Sequence, residues 1–83
     1  MAKIIVPIRL PVDLARLLRD LRHERRFTQQ LLGHFMWLNP RRISKIEKNP
    51  GVTNFAQVLR LINHLEGRLF VEYDPEDDSR GGK

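Results

Sequence analysis

Apolar residues recur with two different periods along this chain. In Lys3–Arg9 (KIIVPIR), Ile4, Val6 and Ile8 alternate with Lys3, Ile5 and Pro7. A period of two predicts a short strand, and Pro7, which cannot donate to a ladder, confines it to an edge or ends it. From Pro11 the period becomes helical. Leu14, Leu17, Leu18 and Leu21 form one stripe. Pro11 can open that helix at a position where a missing N–H costs nothing. Asp13 in the first turn and Arg25 and Arg26 in the last suit the helix dipole. Arg16, Arg19, Arg22 and Arg26 lie off the stripe and read as a solvated face.

Thr28 is a good N-cap, and the helical pattern continues from Gln29 to Met36 with Leu31, Leu32, Phe35 and Met36 apolar. So short a helix is not stable alone in water and must be held by its neighbours. Asn39-Pro40 is a second start signal, a cap residue followed by proline at the first helical position. Arg41 to Lys48 complete a short helix with Ile43 and Ile46 on its buried side, and Asn49-Pro50-Gly51 stops it. Thr53 or Asn54 caps a fourth helix whose stripe is Phe55, Val58, Leu59, Ile62 and Leu65. Gly67 is placed as its left-handed C-terminal residue. Arg68–Tyr73 (RLFVEY) reads as a strand, with Leu69, Val71 and Tyr73 on one face and Arg68, Phe70 and Glu72 on the other. The expected fold is all-α, with four to five helices, a short C-terminal strand and a matching N-terminal one. Residues 1–10 are an arm, 11–66 the helical domain, 67–73 a strand, and 74–83 an acidic flexible tail.

Charge sharpens this picture. Residues 1–71 carry thirteen Lys and Arg against five Asp and Glu, a net of +8, whereas residues 72–83 carry a net of −3. A compact basic body attracts polyanions through its summed potential. Eleven of the fifteen bases are arginine, which suits bidentate contact with phosphate and guanine better than lysine does. The bland alternative is a basic surface kept for solubility. The chain has 83 residues and no cysteine, which excludes disulfides and cysteine-ligated metal. A domain this small buries only about 60–65% of its unfolded surface, so a partner subunit is the expected extra source of stability. No apolar stretch approaches the ~18–20 residues that span a bilayer, and the N-terminus lacks signal-peptide features, so the chain reads as cytoplasmic. His23, His34 and His64 are 11 and 30 positions apart, without metal-ligand spacing. The two serines, Ser44 and Ser79, sit in no nucleophile arrangement, and no glycine-rich phosphate loop follows a strand. No enzyme activity, cofactor or small-molecule substrate is expected.

Two short helices joined by about three residues and flanked by longer ones are the arrangement of a helix-turn-helix. The second would present Pro40, Arg41, Arg42, Ser44 and Lys45 in its opening turns, where such helices reach base edges in the major groove. The stretch TQQLLGHFMWLNPRRISKIEKNPG resembles the Xre (Cro/C1-type) family. Thr28-Gln29, Leu32, Ile43-Ser44, Ile46-Glu47 and Asn49 match, and the resemblance covers residues 11–66. The IEKNPG ending followed by RLFVEY is more narrowly similar to HipB-like antitoxins. The resemblance implies a homodimer that binds an inverted-repeat operator in double-stranded DNA, represses its own operon and binds a HipA-type Ser/Thr kinase toxin. It implies that Thr28 caps the second helix and Gln29 approaches the phosphate backbone, with Gln30 beside it. It further implies that Asn39 caps the recognition helix and can meet phosphate, and that Arg41 and Lys45 read bases with Arg42, Ser44 and Lys48 alongside. Glu47 would pair with a basic residue of the first helix, Arg19 or Arg22.

Three positions depart from the family pattern. Trp37 stands where the turn usually has glycine, so that either the turn is rearranged or packing of the ring offsets a strained backbone. Core or turn packing is the expectation for Trp37 and Phe35, with partner binding the alternative. Gly33 replaces a usual alanine, allowing close approach but weakening the helix. Pro40 replaces a polar base-reading residue. An exposed strand is a liability, so Leu69, Phe70, Val71 and Tyr73, with Ile4, Ile5 and Val6, are expected to build a small sheet at a dimer interface; the alternative is an intrachain ribbon. The acidic tail is a solvating end, or it contacts the toxin or competes with DNA. Two functional alternatives stay open: a solitary Cro-type regulator without a toxin, and a protein-interaction module.

Overall fold

The computed structural model describes residues 3–76. Four helices follow in order: α1 (Pro11–Glu24), α2 (Gln29–Met36), α3 (Pro40–Lys48) and α4 (Phe55–His64), with a 3₁₀ turn at Pro50–Val52 between the last two. The starts are set by side chains. Thr28 Oγ1 accepts from the Leu31 N–H at 3.0 Å, Asn39 Oδ1 from Arg42 N–H at 2.9 Å, and Asn54 Oδ1 from Ala56 N–H at 2.8 Å. Each satisfies a donor that the helix itself leaves unpaired. At α1 the work falls to Asp13, whose Oδ2 accepts from the N–H groups of Arg9 and Leu10, both at 2.9 Å. Those two backbone bonds hold its carboxyl below the usual carboxylate range.

Leu18, Leu32, Met36, Ile43, Ile46, Val58, Leu61, Ile62 and Leu65 form the buried core, with Leu14, Leu21, Phe27 and Leu38 packed on it. Along α4 and its C-cap the buried set is Val58, Leu61, Ile62 and Leu65, whereas Phe55 is exposed and Leu59 half-buried. The expected stripe placed Phe55 inside. It is the first residue of α4, three positions before the first buried one. Spacings of three, one and three from Val58 make the better helical face.

The expected strands at Lys3–Arg9 and Arg68–Tyr73 do not form; no strand occurs among the described residues. Ile4, Ile5, Val6, Leu69, Phe70, Val71 and Tyr73 are all exposed. A ladder needs a second edge, and within one chain these segments do not supply it to each other, so their backbone groups make no ladder bonds. Of the acidic tail, Asp77–Lys83 lie outside the described residues.

The C-terminal ends of the helices are unusual. Arg26, Trp37 and Glu66 have φ of 63°, 61° and 64°, the left-handed region where glycine is usual. The expected left-handed Gly67 is displaced by Glu66. Gly67 instead permits close approach, since a Cβ there would lie 3.1 Å from both Ile62 Cγ2 and Leu21 Cδ2. Arginines satisfy carbonyls near three of these ends. Arg22 Nη1 donates to Phe27 O at 2.9 Å, Arg25 Nε to Leu65 O at 2.9 Å, and Arg60 Nη2 to Met36 O at 3.0 Å.

Trp37 closes α2 and is 92% exposed, so packing does not offset its backbone strain, contrary to the expectation of core or turn packing. Phe35 is also exposed; its ring stacks edge-on against Phe27 at 5.8 Å. The same turn explains Gly33. Leu38 N–H donates to Gly33 O at 2.8 Å, and a Cβ on Gly33 would overlap the Leu38 carbonyl oxygen. Trp37→Gly should therefore stabilise the domain by about 0.5–1 kcal/mol. Gly33→Ala should destabilise it by about 1–3 kcal/mol as the turn shifts away. At ~4–8 °C per kcal/mol for a domain this size, thermal unfolding followed by circular dichroism resolves both. A Trp37→Gly variant that melts earlier than the parent would refute the strain assigned to that turn.

Candidate nucleic-acid interface

Helix α3 has two faces with different chemistry. Ile43, Ile46 and Glu47 are buried; Arg41, Lys45 and Lys48 are exposed, with Ser44 half-buried beside them. Positions 41, 44, 45 and 48 lie three or four apart, so they share one outward stripe. The stripe carries three cations and no acid.

A buried polar joint fixes the position of this stripe. Glu47 is 6% exposed and Arg22 8%. Arg22 Nε donates to Glu47 Oε2 at 2.5 Å and its Nη2 to Oε1 at 3.3 Å. Gln29 Nε2 donates to the same Oε1 at 3.1 Å. One carboxylate therefore ties α1, the start of α2 and α3 together. Of the two basic partners open to Glu47, the structure selects Arg22; Arg19 remains exposed. The Gln29 amide is committed inward to Glu47, while Thr28 and Gln30 are exposed at the same end of α2.

Arg42 does not share the outward stripe. It is half-buried, and its Nε and Nη2 both donate to Gln57 Oε1, at 3.0 and 2.6 Å. It braces α3 against α4. Asn39 is exposed, with its side-chain oxygen occupied by the cap.

Two residues read from the sequence as a solvated face belong to the same region. Arg16 and Arg19 line a cavity of about 370 Å³ between α1 and α3, together with Arg22, Gln29, Ser44, Glu47 and Lys48. The signal was their spacing of three on α1, in register with Arg22, whose pairing with α3 turns that side of α1 toward the stripe.

Among the described residues, no group of three or more His, Asp or Glu could hold a metal ion, and no helix is long and apolar enough to cross a membrane. No protein-family model, curated protein or solved structure matches the chain.

Proposed function

We propose that the protein is a helix-turn-helix repressor of the Xre type that binds duplex operator DNA as a homodimer. The observation that carries this reading is the outward stripe Arg41, Ser44, Lys45 and Lys48 on a short capped helix, held to two other helices by one buried carboxylate. A helix of about 10–12 Å diameter fits the major groove, and cations at its start and along one face meet guanine edges and flanking phosphates. Repression follows from occupying DNA that polymerase needs.

Dimerisation is supported by the exposed arms. Ile4 (87% exposed), Val71 (83%) and Tyr73 (79%) lie with Ile5, Phe70 and Leu69 in two segments without a ladder. Pairing across a two-fold axis covers that apolar surface and supplies the missing edge. Two recognition helices then sit about 34 Å apart and read half-sites one helical turn apart. The narrower reading is an antitoxin of the HipB kind, with a HipA-type kinase as partner. It rests on the IEKNPG ending and the RLFVEY segment, and is tested by co-purification with the product of the adjacent reading frame.

The deciding experiment is fluorescence anisotropy with the duplex upstream of the protein's own gene, at two salt concentrations, beside sedimentation of the protein alone. Saturable binding that discriminates against a scrambled duplex and weakens steeply with salt is expected, with a dimer at micromolar concentration. Equal affinity for both duplexes, or a monomer, would overturn the corresponding half of the proposal.

A further inference from the structure

The cavity between α1 and α3 is more than the edge of the recognition stripe. Its wall contains four cationic side chains, Arg16, Arg19, Arg22 and Lys48, against one carboxylate, Glu47. That carboxylate is already satisfied by Arg22 and Gln29, so the internal ion pair cancels and the remaining charge belongs to Arg16, Arg19 and Lys48. Among the described residues Arg16 has one ion-pair partner, Asp13 at 3.8 Å, and its side chain is 61% exposed. Asp13 is itself engaged by two backbone N–H groups. Three exposed cations thus surround an opening in which Ser44 is a half-buried polar residue.

We infer that this cavity is a phosphate-binding site, and that Arg16 and Arg19 of α1 grip it from the side opposite Ser44 and Lys48 of α3. The ligand class is a phosphoryl oxyanion. Two guanidinium forks and an ammonium provide charge-assisted donors for non-bridging oxygens, and a hydroxyl supplies a neutral one. A carboxylate ligand would use fewer of these donors. The cavity adjoins the α3 stripe, sharing Ser44 and Lys48 with it, so a backbone phosphate bordering the groove is the natural occupant. The inference rests on the proposed DNA binding for that occupant, though not for the anion chemistry. It makes α1 part of the footprint and gives its off-stripe arginines a use that a solvated face does not require.

The test is a double variant, Arg16→Gln with Arg19→Gln, whose altered side chains are exposed and leave the Arg22–Glu47 pair intact. Duplex affinity is measured by anisotropy across a salt series. Losing two phosphate contacts should reduce the slope of log K against log salt by about two and weaken binding roughly tenfold or more at physiological salt, equally on operator and scrambled duplexes. In parallel, the wild-type protein is titrated with inorganic pyrophosphate while the arginine Nε–H resonances are followed by NMR. Shifts at Arg16 and Arg19, absent at Arg68, are expected. A wild-type protein that binds no duplex but shows these shifts would sink the proposed function and keep the site as one for a soluble phosphate ligand. An unchanged salt slope in the double variant overturns the DNA-phosphate role of the cavity, and an absence of pyrophosphate shifts overturns the site itself.

Discussion

Glu47→Ala should cost the domain about 3–5 kcal/mol, because it leaves the Arg22 guanidinium buried without its counter-charge. At roughly 0.05–0.15 kcal/mol per residue a chain of this length has about 4–12 kcal/mol in total, so much of the population should unfold at moderate temperature. The loss is large because three groups depend on one carboxylate: Arg22 Nε, Arg22 Nη2 and Gln29 Nε2 all donate to it. Arg22 also donates to Phe27 O, so Arg22→Ala should be about as damaging, adding an unpaired carbonyl to an unpaired acid. The paired replacement Arg22→Met with Glu47→Leu removes both charges and should recover most of the stability, since apolar substitutes for a buried ion pair are often neutral or better. Chemical denaturation of the four proteins checks this. If Glu47→Ala unfolds within about 0.5 kcal/mol of the parent, the range ordinary for surface changes, the carboxylate does not hold the three helices together.

What the amino-acid order revealed, and what it concealed, divides by distance. The caps at Thr28 and Asn39, and the choice of Thr53 or Asn54 that the structure resolves to Asn54, are legible because a cap is a contact over two or three residues, and Pro11 and Pro40 mark helix starts for the same local reason. The outward stripe Arg41, Ser44, Lys45 and Lys48 follows from helical spacing alone. Arg42 was misplaced beside it, because its partner Gln57 is fifteen residues away and adjacent helix positions differ only by about 100°. The choice between Arg19 and Arg22 for Glu47 was equally tertiary, with 25 residues between the partners. Trp37 was legible as an anomaly but not as an exposed ring, since nothing local says whether a strained residue is repaid by packing. The strands at either end were read from alternation, yet alternation describes a surface suited to pairing and does not provide the second edge. Arg16 and Arg19 looked like solvated positions until the Arg22–Glu47 joint fixed which side of α1 faces α3.

Arg41→Ala with Lys45→Ala should cut operator discrimination sharply while leaving the fold intact. Both side chains are exposed, and Asn39 keeps its bond to the Arg42 N–H in the variant, so melting temperature should stay within the small range of surface changes. A bidentate arginine on guanine contributes about 1–3 kcal/mol of discrimination and a lysine on a base edge a comparable or smaller amount. Removing both should therefore weaken operator binding roughly a hundredfold, with scrambled-duplex binding falling much less. Arg42→Ala makes the internal comparison. Its guanidinium is spent on Gln57, so the expected consequence is a loss of stability of about 1–2 kcal/mol, from a charged hydrogen bond left unmade, with little change in which base pairs are preferred. Anisotropy against operator and scrambled duplexes, read beside thermal melts, separates a side chain that reads DNA from one that holds the reading helix in place. Preserved discrimination after neutralising Arg41 and Lys45 would remove α3 from the interface, and a change of base preference in Arg42→Ala would mean that this arginine leaves Gln57 when DNA arrives.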